Sequence, residues 1–198
     1  MDYVVLDLEW NQASDSRDAR NRLLTFEIIE IGAVKLNSRM EIVDTFEELI
    51  RPEKDLDGIS PVNRARIFAG EKDGFAPCTA EAVIEILKTY QIPMEGKRAV
   101  VVGRSMVVGR PLSMLFLKEN ATVTVCHTKT ADLKAVCREA DILVAAAGKA
   151  GMISGEFVKP GAVVADVGIN VDENGALKGD VEGDGLEAAA AAAATPVP

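Results

Sequence analysis

The sequence predicts an α/β protein: a Rossmann-like, mostly parallel sheet with helices on both faces, preceded by a small three-stranded antiparallel fragment. Three observations carry this reading. Four short β-branched runs recur between residues 98 and 166, separated by stretches long enough for short helices, which gives the order βαβαβαβ. The first run ends in Gly103 and leads through Gly109 into an apolar helical pattern, the strand, glycine turn and helix of a nucleotide-binding unit. Ahead of them, residues 1–52 hold three alternating runs joined by one polar loop and one tight turn.

Taken in order, those three runs are Tyr3 to Leu8, Glu27 to Leu36 and Glu41 to Ile50. Asp7 and Glu9 lie two apart and so share a face of the first strand; two carboxylates at a strand end are a partial ligand set for a hard cation such as Mg2+. Thr79 is the expected N-cap of a helix over Ala80 to Tyr90, packed through Ala82, Val83, Ile86, Leu87 and Tyr90. Arg98 to Val102 is the first buried strand. After it, Pro111 suits the first position of a helix over Leu112 to Lys118, with Leu112, Leu115 and Phe116 facing the core. Unpaired N–H groups and the positive end of that helix would then point at one spot, an anion site whose natural guest is phosphate. The glycine spacing, G-x5-G, differs from the G-x-G-x-x-G of the common dinucleotide motif. Ala121 to His127, Asp141 to Ala145 and Gly161 to Asp166 supply the remaining strands, with short helices over Asp132 to Arg138 and Gly155 to Lys159. The run Ala188 to Ala194 suits either a helix on the sheet edge or a linker.

Composition narrows the function. Against 22 basic side chains stand 31 acidic ones, a net charge of −9, which argues against broad binding to a nucleic-acid backbone. Cys78, Cys126 and Cys137 are odd in number and lack metal-like spacing, as expected of free thiols in a reducing compartment. An acidic N-terminus and the lack of any apolar run of spanning length point to a cytoplasmic protein that does not enter a membrane. In the common NAD pattern an acid about 20 residues beyond the glycines binds the ribose. Here that strand ends Val125-Cys-His-Thr-Lys129, without an acid and with two basic side chains, which favours NADP over NAD.

Two family resemblances overlie these patterns. Val4-Val-Leu-Asp-Leu-Glu-Trp-Asn-Gln12, Phe26-Glu-Ile-Ile-Glu-Ile-Gly-Ala-Val-Lys35 and Leu49-Ile-Arg-Pro52 resemble the opening of the DEDD-type 3′–5′ exonucleases, a likeness that implies Asp7 and Glu9 as metal ligands. His127 and Asp132 reproduce the H-x4-D spacing of that family's last motif, but they sit inside the second resemblance. That second one is dense: Lys54-Asp-Leu-Asp-Gly58, Pro77-Cys-Thr79, Gly103-Arg-Ser105 with Val108-Gly-Arg-Pro111, Cys126-His-Thr128, Ala140-Asp-Ile-Leu143, Asp166-Val-Gly-Ile-Asn170, Gly179-Asp-Val181 and Thr195-Pro-Val-Pro198. In this order they resemble the bifunctional methylenetetrahydrofolate dehydrogenase/cyclohydrolase family. The two resemblances divide the chain into an exonuclease-like fragment, 1–52, and an NAD(P)-binding domain, 53–198, shortened at its C-terminus relative to the family.

The second resemblance implies NADP-dependent oxidation of methylenetetrahydrofolate in one-carbon metabolism, a folate substrate and a homodimer. It implies Gly103, Arg104, Ser105, His127, Thr128 and Ile169 as cofactor-binding residues and Asp57 as the residue that hydrogen-bonds the folate pterin. One departure bears on activity. Family members carry a Y-x3-K motif, whose lysine transfers protons, and a Q-L-P-L-P segment. Here the two tyrosines, Tyr3 and Tyr90, are followed four residues on by Asp7 and Met94, and Q-L-P-L-P does not occur. No catalytic residue is therefore assigned, and impaired dehydrogenase and doubtful cyclohydrolase activity are expected. A metal-dependent exonuclease and a non-catalytic nucleotide-binding fusion remain the alternatives.

Overall fold

The computed structural model describes residues 57–182 throughout, with Arg39, Pro52, Asp55 and the backbone of the strands within 3–10, 28–36, 42–49 and 193–194. Strands β1 (Tyr3–Trp10), β2 (Ile28–Leu36) and β3 (Ile42–Leu49) form a separate antiparallel sheet in the order β1-β2-β3. Asp7 stands opposite Gly32 and Glu9 opposite Glu30 in its register. The side chains of Asp7 and Glu9, and so the expected metal site, lie outside the described residues.

Two helices lead into the main sheet. Helix α1 (Pro61–Ala69) starts where the Ser60 hydroxyl accepts the Asn63 N–H, has Pro61 at its first position, and stops at Gly70 in the left-handed region. Helix α2 spans Cys78–Thr89. It begins two residues before the predicted start, and Thr79 does not cap it: the Asp57 carboxylate accepts the Cys78 N–H (3.2 Å) and supplies the cap from 21 residues upstream. The packed face is accordingly Ala80, Val83, Ile84 and Leu87. Ile86 and Tyr90, expected to pack, are 39% and 73% exposed.

The main sheet holds β4 (Arg98–Val102), β5 (Thr122–Cys126), β6 (Ile142–Ala145), β7 (Val163–Asp166) and β10 (Ala193–Ala194), in the order β10-β7-β6-β4-β5 and parallel at every pairing. Alternate residues of its strands feed two cores. Ala99, Val101, Ile142 and Val144 pack with α2 and with Leu112 and Phe116 of α3 (Gly109–Lys118). On the other face, Val100, Val102, Leu143 and Ala145 pack with Cys137 of α4 (Leu133–Cys137) and with Ile153 and Val158. Burial on both faces explains why these strands read as unbroken apolar runs. The Rossmann-like expectation therefore holds, helices on both faces included.

Helix α1 was not expected from the sequence, and three further details differ from the expectation. Gly155–Phe157 forms one 3-10 turn and no α-helix, since Val158 returns at once to extended backbone. A small antiparallel hairpin, β8 (Asn170–Val171) with β9 (Leu177–Lys178), follows the main sheet; its strands are too short to show a period in sequence. Within the alanine run, Ala193 and Ala194 form a strand against Val163 and Val164 where a helix or linker was expected, because edge pairing with β7 overrides alanine's helical propensity. The run's other alanines, 188–192, and Thr195-Pro-Val-Pro198 lie outside the described residues.

Candidate cofactor-binding site

The strand order sets the site. From β4 the chain first steps outward to β5, then returns across β4 to β6 and β7, so the loops leaving β4 and β6 part in opposite directions at the carboxyl edge of the sheet. Such a switch point is where doubly wound sheets take ligands.

Close backbone contact shapes the crevice there. Gly103 has φ of 137°, and a Cβ on it would stand 2.1 Å from the carbonyl oxygen of Ala146, in the loop after β6. A Cβ on Gly109 would stand 2.1 Å from the carbonyl oxygen of Gly103. The two glycines thus let the β4 loop, the start of α3 and the β6 loop touch through main chain alone.

The donors facing this crevice are not those expected. Helix α3 starts at Gly109, so Pro111 is its third residue and not its first. Ser105 holds that first turn: its hydroxyl accepts from Val108 N–H (3.0 Å) and Gly109 N–H (3.4 Å), and its carbonyl from Arg110 N–H (3.1 Å). The free donors lie one step earlier. The N–H groups of Arg104, Ser105, Met106 and Val107 have no acceptor among the described residues, and all four residues are exposed. Arg104 also has no ion-pair partner among the described residues. With exposed Arg110 and Lys129 it gives a basic rim to a chain of net charge −9.

Beyond β5, the His127 N–H donates to Thr130 Oγ1 (2.8 Å) and His127 Nδ1 accepts from the Lys129 N–H (3.0 Å). The neutral ring then carries its proton on Nε2. Thr128 is exposed at the tip of this turn, and Asp132, which stands at H-x4-D spacing from His127, caps α4 by accepting the Ala135 N–H. Ile169, in the loop after β7, is 75% exposed. The residues predicted to bind the cofactor therefore stand on three loops of one sheet edge.

Asp57 stands in the turn ahead of α1, beside Gly58. A cavity of about 330 Å³ lies between its neighbour Gly58, Arg64 and Pro77 on one wall and Met106, Arg110 and Met114 on the other, joining the Asp57 turn to the glycine loop. Burial and then the charge of Asp57 push the Cys78 thiol above its ordinary range. Sequence reasoning missed the carboxylates that hold these loops. Asp55, 1% exposed, accepts from the N–H groups of Ile59 and Ser60 and from the Asn63 amide. Asp166 and Asp180 act likewise around β7. Asp55, Asp166 and Asp180 each stand in a motif quoted above, but nothing in the sequence distinguishes a carboxylate bonded to main-chain N–H groups from a solvated one.

Residues 77–198 match the tetrahydrofolate dehydrogenase/cyclohydrolase family, NAD(P)-binding domain. The chain belongs to this family. The bifunctional protein FolD of Alkaliphilus oremlandii is 55% identical over 155 residues, 78% of this chain and 54% of the relative; that of Clostridium kluyveri is 59% identical over 134 residues, 68% of this chain and 47% of the relative. The chain thus spans about half the length of the curated relatives it matches. Among solved structures, the FolD methylenetetrahydrofolate dehydrogenase/cyclohydrolase of Campylobacter jejuni superposes with a TM-score of 0.73 at 43% identity, over 75% of this chain and 52% of that one. The Trypanosoma brucei enzyme, complexed with NADP cofactor and inhibitor, gives 0.67 at 42%, over 75% and 53%. These relatives lend nothing to the exonuclease resemblance or to Mg2+. Among the described residues no three His, Cys, Asp or Glu side chains gather into a metal-binding group, and no helix is long and apolar enough to cross a membrane.

Proposed function

We propose that the chain is the NADP-binding part of a methylenetetrahydrofolate dehydrogenase/cyclohydrolase of one-carbon metabolism, impaired in turnover as it stands. The observation that carries this reading is the loop Gly103 to Gly109: two glycines in main-chain contact, with four N–H groups and the charge of Arg104 that have no partner among the described residues, all at the switch point. Donors of that kind fit a pyrophosphate, and a free guanidinium fits the 2′-phosphate that distinguishes NADP from NAD. His127, Thr128 and Lys129 border the same edge, and Ile169 borders its far end. Bound NADP would supply the hydride acceptor; the protein's part is to orient it and to hold the folate from the Asp57 side of the cavity.

The division at residues 52 and 53 belongs to this proposal, supported by the change of motif between Leu49-Ile-Arg-Pro52 and Lys54-Asp-Leu-Asp-Gly58. So do a cytoplasmic setting, suited to the three free cysteines, and a homodimer. Acid–base help of the kind given by the lysine of Y-x3-K is worth roughly 10²–10⁴-fold, and this chain has no such motif. NADPH fluorescence titration run beside a turnover assay with NADP and methylenetetrahydrofolate tests the whole reading. Saturable binding with turnover near that of a boiled control is expected. Failure to bind NADPH would refute the cofactor assignment, and brisk hydrolysis of the methenyl bridge would refute the impairment.

A further inference from the structure

Asp180 is fully buried, yet it stands in a loop beyond the last long strand of the domain. Its carboxylate accepts four hydrogen bonds. Oδ2 takes the N–H groups of Ala147 (2.5 Å) and Gly148 (2.9 Å), while Oδ1 takes the Lys149 N–H (2.7 Å) and the Asn170 amide (2.9 Å). Three successive N–H groups converging on one anion, with Gly148 at φ of 66°, make a backbone nest of the type that elsewhere binds phosphate. Here the protein fills its own nest.

The carboxylate is in turn fixed to the sheet. Asp166, the last residue of β7, accepts the N–H groups of Asp180 and Val181 (both 3.0 Å), and Ile153 N–H donates to the Asp180 carbonyl. Gly168 leaves the space it needs, since a Cβ there would stand 2.2 Å from Asp180 Cγ. A rigid line therefore runs from β7 through Asp166 and Asp180 to the loop after β6, the loop whose Ala146 touches Gly103.

We infer that Asp180 is a positioning residue that sets this loop against the nicotinamide riboside half of the cofactor. On the NADP reading above, on which this inference rests, two loops divide the hydrogen-bonding roles. The β4 loop keeps its N–H groups free and suits the phosphates. In the β6 loop the Ala146 N–H is bonded to the Val102 carbonyl and the Ala147, Gly148 and Lys149 N–H groups to Asp180, so its first four residues have no main-chain donor left for an anion. The main-chain groups these four residues keep for a ligand are carbonyl acceptors, which match ribose hydroxyls and a carboxamide NH2. Replacing the carboxylate by an amide leaves one acceptor for four donors and turns an NH2 toward N–H groups, releasing the loop.

The test separates the two halves of the cofactor. Binding of NADPH and of adenosine 2′,5′-bisphosphate is measured by calorimetry for the parent and for Asp180→Asn. NADPH affinity should fall by roughly tenfold, the effect of about one lost hydrogen bond to a charged group, with the bisphosphate unchanged. Equal weakening of both, as general loosening would give, overturns the inference, and so does a variant that binds like the parent. Should Asp180→Asn fail to fold, Asn170→Ala carries the same test, since it keeps the carboxylate and removes one donor that holds it. A parent that binds neither compound would overturn the NADP reading itself and this inference with it.

Discussion

At the scale of single residues, the loops around the crevice are held by buried carboxylates bonded to main-chain N–H groups. Asp55 shows what this implies for stability. Burial pushes its carboxyl up, but hydrogen bonds from Ser60, Asn63 and Ile59 outweigh that and hold it below its ordinary value of 3.8. A depressed carboxyl contributes stability that is present above the unfolded-state value and is lost as pH falls through the folded-state value. Thermal midpoints should therefore drop on acidification below about pH 4, and less steeply in Asp55→Asn, which should already be weaker by about 1–3 kcal/mol at neutral pH. Parallel profiles for the two proteins would refute this. Little of the network was legible beforehand: Asp55, Asp166 and Asp180 look like any turn acids in the sequence, because their main-chain partners depend on how distant loops meet. Arg104 and the glycines were legible because their spacing is local.

At the scale of elements, the hydrophobic pattern gave β1 to β7 closely, missed the two-residue strands β8 to β10 and helix α1, and gave the helix ends poorly. Strands buried on both faces announce themselves as β-branched runs, and β4 was placed to the residue. The starts of α2 and α3 were misplaced because each is capped by a group that spacing rules do not consider, Asp57 from 21 residues away for one and Ser105 within an irregular loop for the other. The apolar face of α3 was legible nonetheless, and Phe116, 0% exposed, is its largest contribution to the core between α2, α3 and β4. Phe116→Ala should cost about 3–5 kcal/mol in denaturant unfolding. A loss under about 1 kcal/mol would mean that this face is not packed as described.

At the scale of the whole molecule, a parallel sheet with one switch point concentrates glycine loop, basic rim and Asp57 turn at a single edge, although they lie far apart in the chain. The family resemblance reached that edge from motifs alone. It could not show that the N–H groups left without an acceptor among the described residues are the four in the loop before the helix, because that depends on how Ser105 is used. The account stands or falls on whether Arg104 reads the 2′-phosphate. The direct measurement is calorimetric titration of the parent chain and of Arg104→Gln with NADPH and with NADH. The parent should prefer NADPH, and the variant should lose roughly tenfold or more of its NADPH affinity, as expected for a charge-assisted pair, while NADH binding stays within about twofold. Equal loss for both cofactors, or a parent without preference, would contradict it.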